Sequence, residues 1–197
     1  MHALPLILLI TLMALISGCQ SYRGMADFIQ KNRKELLSVL KLKKKRLPSR
    51  DTLIRAVERT DFDELAHMFT EWSLQRNPLQ QQECIALDGK AIRGTVSGAQ
   101  NNLQRFTNLV SAYSSTQKQV LACKKIENDK ESEIPSVRAL IELLGLKGVV
   151  FTADALHCQK ETTRIITEGG NDYILGLKGN QKKLLQQVKK TNKKGRP

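Results

Sequence analysis

Two aspartates, Asp88 and Asp154, stand in matching surroundings along the chain. Each follows a short apolar run, Cys84–Leu87 in one case and Val149–Ala153 in the other, and each precedes a loop or the start of a helix. Both runs have the length and composition of strands, each ending on its aspartate. If the two strands are neighbours, the carboxylates converge at one edge of a sheet.

Paired carboxylates at a sheet edge suit Mg²⁺ or Mn²⁺, because these hard cations prefer oxygen ligands. Two such ions held close together can activate a water molecule and stabilise the leaving 3′ oxygen of a phosphodiester. Either aspartate alone is more simply explained as a turn or helix-capping residue. Two aspartates in matching surroundings favour a metal site more than one aspartate would, but a turn or capping role is still the simpler explanation. Both interpretations therefore stay open on these residues alone.

The elements that would position the two aspartates favour a mixed α/β sheet with antiparallel and parallel parts. Three predicted strands joined by short turns come first, and later strands alternate with helices. The predicted strands are Cys84–Leu87, Phe106–Tyr113, Gln119–Ile126, Val149–Ala153 and Tyr173–Leu177. The predicted helices are Ile134–Leu144, a segment from Asp154 to about Glu168, and a last one from Asn180. Thr95–Asn102 is expected to be a polar loop and Asn128-Asp129-Lys130 a turn.

The region before the sheet has helical periodicity. Apolar residues recur at helical spacing between Met25 and Leu40, and Ser49 stands where a helix N-cap belongs. A further helix is expected to carry Leu65, Met68, Phe69 and Trp72 on its apolar side, before Asn77-Pro78 breaks the pattern. We therefore predict a helical domain over residues 1–78 and an α/β domain over 79–197. Two short helices joined by a turn also fit a helix-turn-helix, although packing alone gives the same pattern.

The apolar run Leu4–Ile16 admits two interpretations. Followed by Ile16-Ser17-Gly18-Cys19, it resembles a lipoprotein signal with its cleavage box. No Lys or Arg precedes the run, however, and a helical pattern begins directly after Cys19. The run is also shorter than the roughly 20 apolar residues of a membrane span. We predict a buried helix of a globular domain, with a membrane lipoprotein anchored through Cys19 as the alternative.

Composition limits the kind of partner. Of the 197 residues, 41% are hydrophobic and 26% are charged, which allows a packed core. The formal net charge of +13 favours a polyanion, either a nucleic acid or an anionic membrane surface. The four cysteines are widely spaced and form no C-x-x-C pair, so a zinc site or a disulfide framework is poorly supported.

Longer strings of sequence decide between these alternatives. The segments Ile85–Gly94 (IALDGKAIRG) and Thr152–Lys160 (TADALHCQK) resemble the first and second catalytic motifs of the H-repeat-associated group of DDE-type insertion-sequence transposases. Leu109–Ser114 and Asp172–Gln181 are similar to the strand and the signature that follow those motifs, and residues 4–75 resemble the helical region that precedes them. The resemblance covers nearly the whole chain, with the motifs in the family's order.

This resemblance implies an RNase H-like core that uses Mg²⁺ or Mn²⁺ to cut and join DNA at transposon ends. It makes Asp88 and Asp154 the first two acids of the catalytic triad and metal ligands. Glu133 is a further candidate metal ligand, because it starts the first helix of such a core. Lys90, Arg93, Lys178 and Gln181 are candidate contacts to DNA phosphates, with solvated surface charge as the alternative. His157 is expected to serve in packing or in contact with the substrate.

In the family the third acid is a glutamate far downstream, and no segment of this sequence matches its surroundings. We therefore expect a fragment that is truncated at both ends and inactive alone. The alternative is a non-catalytic, DNA-binding remnant that regulates or pairs with a full-length transposase. The expected partners are transposon-end DNA and a second copy or a full-length transposase. The expected location is the cytoplasm, in association with the nucleoid and without a membrane.

Overall fold

The computed structural model describes residues 2–42, 46–76, 78–97, 105–127 and 132–194. Backbone contacts divide the chain into two compact units, Met1–Asp61 and Phe62–Pro197. Each unit has its own cluster of buried apolar side chains. The turn predicted at Asn128-Asp129-Lys130 lies outside the described residues.

The first unit is helical. It contains α1 (Leu4–Ile16), α2 (Tyr22–Lys31), α3 (Arg33–Val39) and α4 (Arg50–Glu58). The N-cap predicted at Ser49 is confirmed, since its hydroxyl accepts a hydrogen bond from the Thr52 amide at 3.4 Å. The single helix predicted over Met25–Leu40 is wrong, because Asn32 ends α2 and begins α3.

Helix α1 is apolar on every side but buried on only one. Ile7, Ile10 and Ala14 are buried in the cluster of the first unit, whereas Leu12 and Ile16 on the other side are 53% and 79% exposed. The prediction of a buried helix therefore holds for one face. Among the residues that the structure describes, no helix combines the length and apolar character needed to cross a bilayer.

The second unit is built on a five-stranded sheet in the order β3-β2-β1-β4-β5. Its elements are α5 (Phe62–Arg76), β1 (Cys84–Ser97), β2 (Arg105–Ser114), β3 (Gln119–Glu127), α6 (Glu133–Leu144), β4 (Val150–Ala153), α7 (Lys160–Glu168), β5 (Asp172–Leu175) and α8 (Lys182–Lys194). The first three strands are antiparallel, and β4 and β5 run parallel to β1. This is the mixed α/β, RNase H-like sheet that the sequence predicts.

Strand β1 is longer than predicted, and this moves Asp88 from the end of a strand to its middle. Pairing with β4 stops at Leu87 opposite Ala153, but antiparallel pairing with β2 continues to Ile92 opposite Thr107. The hairpin partner thus keeps the chain extended beyond the parallel ladder. Part of the polar loop predicted over Thr95–Asn102 consequently belongs to β1, and the rest lies outside the described residues.

Helix α6 covers one face of the sheet. Val137, Leu140 and Leu144 pack in one cluster with Ile85 and Leu87 of β1, and all five are at most 4% exposed. The buried carboxylate of Glu83 lies immediately before the first residue of β1. There, Glu83 accepts hydrogen bonds from the Ser114 hydroxyl and from the Gln80 amide.

The apolar side predicted for α5 is wrong. Leu65, Met68 and Trp72 are 44 to 59% exposed, while Thr70 and Ser73 on the opposite side are buried. The Ser73 hydroxyl donates to the Val120 carbonyl oxygen at 3.3 Å, which ties α5 to β3. The buried side of α5 thus carries Thr70 and Ser73, and Leu74 of the same helix packs against the core of the sheet.

Candidate active site

The parallel pairing of β1 with β4 brings the two predicted catalytic aspartates together. Leu87 of β1 pairs with Ala153 of β4, and each of these residues is followed directly by an aspartate, Asp88 and Asp154. Neighbouring strands lie about 4.8 Å apart, so the two residues lie side by side where the parallel ladder ends. Both are exposed. Asp88 and Asp154 are distant in sequence, and the fold thus presents their two exposed side chains together where the β1–β4 ladder ends.

Asp154 begins a tight turn and caps it. Its Oδ1 accepts a hydrogen bond from the Leu156 amide at 2.9 Å, at the start of a 3₁₀ turn over Ala155–His157. The helix predicted to run on from Asp154 begins only at Lys160, after this turn. The carboxylate stays 65% exposed, so capping occupies one oxygen while the group remains open to solvent.

Glu133 approaches β1 at Gly89, the residue after Asp88. A Cβ atom built on Gly89 would lie 2.5 Å from the Glu133 carboxyl carbon, so a larger residue there would require the end of the Glu133 side chain to move. Side chains alternate along a strand, and Gly89 shares the face of buried Leu87 rather than that of Asp88. Glu133 thus lies on the face of β1 opposite to that of Asp88.

His157 connects Glu133 to the Asp154 turn. Its Nε2 lies 3.1 Å from Oε1 of Glu133 and 4.0 Å from Oδ1 of Asp154. The residue is only 1% exposed, and in the described part of the chain no group hydrogen-bonds its Nδ1. Of the two roles expected for His157, packing agrees with this burial.

The aspartate pair fits a hard divalent cation. Mg²⁺ is commonly held by one or two carboxylates, with water and substrate phosphate oxygens completing its octahedron. Among the described residues, no three His, Cys, Asp or Glu side chains converge on one point as metal ligands. Asp88 and Asp154 are therefore oxygen donors of the kind that such an ion takes, but the described residues form no enclosed site. That the two aspartates share an ion, and that Glu133 joins them, stay predictions.

The predicted DNA contacts are spread over two segments. Lys90 is exposed two residues after Asp88, on the same face of β1 by strand alternation. Arg93 also lies in β1, but its side chain is outside the described part. Lys178 is exposed and precedes a 3₁₀ turn over Gly179–Gln181. The predicted role of these residues in DNA binding stays a prediction.

Two glutamates of α7, Glu161 and Glu168, are exposed. Arg164 forms ion pairs with Glu161 at 2.6 Å and with Glu168 at 2.8 Å. The hydrogen bond from Arg164 lowers the pKa of Glu161, and its charge adds to this effect. These carboxylates stabilise the helix surface and are separate from the aspartate pair.

Sequence reasoning missed the contacts that hold the Asp154 turn. Asn180 donates from Nδ2 to the Ala155 carbonyl oxygen at 2.6 Å, and Gln181 donates from Nε2 to the Cys158 carbonyl oxygen at 2.9 Å. A signal was present in the motif Leu175–Gln181 (LGLKGNQ), whose glycines and amides follow β5. The residues that the motif contacts, Ala155 and Cys158, belong to another part of the chain and could not be identified from the sequence.

Comparison with known protein families agrees with this geometry. Residues 79–197 match the family model described as Transposase DDE domain, and residues 1–73 match the model of the associated region, DDE_Tnp_1-associated. The chain belongs to the DDE transposase family. The predicted resemblance to this family is confirmed.

Several similar proteins are named putative transposases. The chain is 35% identical to the putative transposase YncI of Escherichia coli K12 over 93% of its own length and 72% of the relative's. It is 30% identical to the H repeat-associated putative transposase YbfD of the same strain, over 93% and 71%. It spans only 63% of a relative from Xanthobacter autotrophicus and 46% of YncI from E. coli O157:H7.

One solved structure is also similar. The piggyBac transposase in a synaptic complex with hairpin DNA aligns with a TM-score of 0.43 and 11% identity. The alignment covers 84% of this chain and 41% of the piggyBac chain.

Proposed function

We propose that this chain is a metal-dependent transposase subunit in which Asp88 and Asp154 hold Mg²⁺ or Mn²⁺ for cutting and joining transposon-end DNA. The observation that carries the proposal is the Leu87–Ala153 register, which places the two exposed aspartates side by side. The bound ions would activate the attacking water and stabilise the leaving 3′ oxygen of the DNA strand. The chain itself supplies the carboxylates and the turn that fixes one of them.

DNA would approach from the exposed side of the aspartate pair. Lys90, Arg93, Lys178 and Gln181 are proposed to contact phosphates there, where positive charge binds DNA without reading its sequence. We include a second copy or a full-length transposase as a partner, and the nucleoid as the location. These assignments rest on the family and on the basic composition of the chain.

The 197-residue chain alone is expected to bind the metal ion and DNA without efficient cutting. Two carboxylates face the proposed site, and among the described residues no third acidic side chain converges with them. Metal-dependent catalysis is sensitive to the number and orientation of ligands. The same observation favours a second candidate, a DNA-binding remnant that occupies transposon ends without cutting them.

Metal binding tests the proposed site directly. Titration with Mn²⁺, followed by electron paramagnetic resonance, should show binding that is lost in Asp88→Asn and Asp154→Asn. Asparagine is as good an N-cap as aspartate, so Asp154→Asn should retain the turn and the free energy of unfolding. Glu161→Gln, which removes an exposed carboxylate from α7, is the matched control and should bind Mn²⁺ like the unaltered chain.

DNA cutting separates the two candidate functions. A plasmid carrying the inverted repeats that flank the coding sequence is incubated with the chain and Mn²⁺. Nicking that disappears in Asp88→Asn supports the enzyme, whereas retention of the DNA without nicking supports the remnant. Equal Mn²⁺ affinity in the unaltered chain and both aspartate variants would refute the proposed metal site.

A further inference from the structure

We infer that Asn180 and Gln181 are positioning residues that hold the Asp154 turn, and through it the Asp154 carboxylate, in the orientation needed for metal binding. The inference rests on the proposed function and adds to it the part of the chain that fixes the second aspartate. Neither residue touches the proposed ion. Each acts on the backbone of the turn over Ala155–His157 or on the residue after it.

The turn is closed by short-range hydrogen bonds. They include those from the Leu156 amide to Asp154 Oδ1 and from the His157 amide to the Asp154 carbonyl oxygen, at 2.9 and 3.2 Å, and the Cys158 amide also donates to the Ala155 carbonyl oxygen at 3.3 Å. A single 3₁₀ turn has poorer hydrogen-bond geometry than an α-helix and is used in short pieces. A carboxylate on such a turn needs outside contacts to keep one orientation.

Asn180 and Gln181 supply such contacts at both ends of the turn, in addition to the contact of buried His157 with Glu133. The side-chain amide of Asn180 donates to the carbonyl oxygen of Ala155, and the side-chain amide of Gln181 donates to the carbonyl oxygen of Cys158. Asn180 and Gln181 themselves belong to a 3₁₀ turn over Gly179–Gln181, which leads directly into α8. Two consecutive side chains of the Gly179–Gln181 turn thus hydrogen-bond to one carbonyl group in the Ala155–His157 turn and to one on the residue after it.

Gly176 brings the two turns close enough for these bonds. A Cβ atom on Gly176 would lie 3.0 Å from the Ala155 amide nitrogen and 3.3 Å from the Asp154 carbonyl carbon. The Gly176 amide also donates to the Ala153 carbonyl oxygen at 3.0 Å. Since the neighbouring atoms belong to the backbone, they cannot rotate away from a larger side chain. The glycine and the two amides of the LGLKGNQ motif therefore act together.

This assignment gives Gln181 a structural contact that its proposed role in DNA binding does not require. Its Nε2 is already donating within the protein, to the Cys158 carbonyl oxygen. A phosphate contact would depend on DNA, whereas positioning of Asp154 is present in the free chain. The two roles can therefore be separated by measurements made without DNA.

The test compares the 197-residue chain with Asn180→Leu, Gln181→Met and the double variant. These substitutions preserve approximate side-chain size, remove the donors and add no charge near the metal. Gln186→Met, at an exposed position of α8, is the matched control. Amide hydrogen exchange over residues 155–158 reports closure of the turn without metal, and Mn²⁺ titration by electron paramagnetic resonance reports the site.

In the double variant we expect exchange over 155–158 to rise about tenfold and Mn²⁺ affinity to fall by a similar factor, given the usual net strength of one or two hydrogen bonds. Exchange in β1 and β2 should stay unchanged, which shows that the sheet is intact. Unchanged exchange over 155–158 overturns the inference. Faster exchange with unaltered Mn²⁺ affinity also overturns it, because Asp154 would then not need the contacts.

The outcomes for the inference and for the proposed function are distinct. If Asp154→Asn and the unaltered chain bind Mn²⁺ equally, the proposed metal site fails. The orientation of Asp154 is then judged from the Leu156 amide, whose hydrogen bond to Oδ1 should weaken in the double variant and persist in Gln186→Met. If the double variant does not fold, the two single variants give the same comparison with smaller changes.

Discussion

At the scale of single residues, Gly89 sets the space available to the Glu133 carboxylate. Gly89→Ala would place a methyl group 2.5 Å from the Glu133 carboxyl carbon. Because that carboxylate pairs with buried His157, displacing it leaves the imidazole without its partner. The unsatisfied group should cost about 1–3 kcal/mol, measured as the free energy of unfolding in urea.

Gly179→Ala is the control for this prediction. Within the described part of the chain, nothing lies within 4 Å of a Cβ atom at that position. Alanine there restricts the unfolded chain without a steric clash. The nitrogen resonances of the His157 ring should change in Gly89→Ala and remain in Gly179→Ala. Equal stability of the two variants, with an unaltered His157 ring, would show that Glu133 moves aside without cost.

The aspartates and the groups around them differ in how far sequence reveals them. Asp88 and Asp154 stand within strings that are typical of the family, so they could be chosen before the fold was known. The contact between Glu133 and Gly89 depends on how α6 lies on the sheet, and residue types do not specify that. His157 shows the same limit, since its partners come from a helix and a turn distant in sequence.

At the scale of elements, Asn171 joins the loops that precede β4 and β5. Its Oδ1 accepts from the Val149 amide at 3.2 Å, and its Nδ2 donates to the Leu146 carbonyl oxygen at 2.8 Å. The side chain is largely buried, so its loss leaves these backbone groups without a partner. We expect Asn171→Leu to lower the free energy of unfolding by about 1–3 kcal/mol.

The measurement for Asn171→Leu is a urea unfolding curve, with Gln186→Leu at an exposed site as the control. Amide exchange should accelerate at Val149 in Asn171→Leu only. A variant that unfolds at the same urea concentration as the control would mean that other groups or water satisfy these backbone groups.

Element types were more predictable than their limits. Hydrophobic spacing distinguishes strands from helices, and the predicted order of strands and helices after residue 80 is the observed one. The extension of β1 to Ser97 comes from pairing with β2, which local sequence does not encode. The exposed side of α5 was misjudged for a related reason: Ser73 bonds to β3 and is buried with Thr70, which leaves the larger apolar residues on the exposed side.

At the scale of the whole molecule, charge governs the expected interaction with DNA. The formal net charge is +13, and α8 contributes lysines along its length without an acidic residue. We expect binding to a 30-base-pair duplex to weaken steeply with salt, because each neutralised phosphate adds about 0.9 to the log–log slope. Lys189→Gln combined with Lys190→Gln should reduce that slope by up to about 1.8.

Lys31→Gln combined with Lys34→Gln removes the same charge from exposed positions of α2 and α3. It should leave the slope nearly unchanged if DNA lies along α8. Binding is measured by fluorescence anisotropy between 50 and 200 mM salt, the range over which such contacts separate clearly. Equal losses in the two double variants would indicate diffuse attraction to the whole chain.

The proposed site needs the parallel pairing of β1 with β4, so this pairing also determines when the site can form as the chain folds. The β1–β2 and β2–β3 hairpins join neighbouring segments, but β4 must return across β2, β3 and α6 to reach β1. Closing so long a loop costs entropy before the pairing compensates for it, and such contacts form slowly. A chain emerging from the ribosome therefore carries Asp88 on an early hairpin with no Asp154 beside it. The proposed metal site can therefore form only when the sheet is nearly complete.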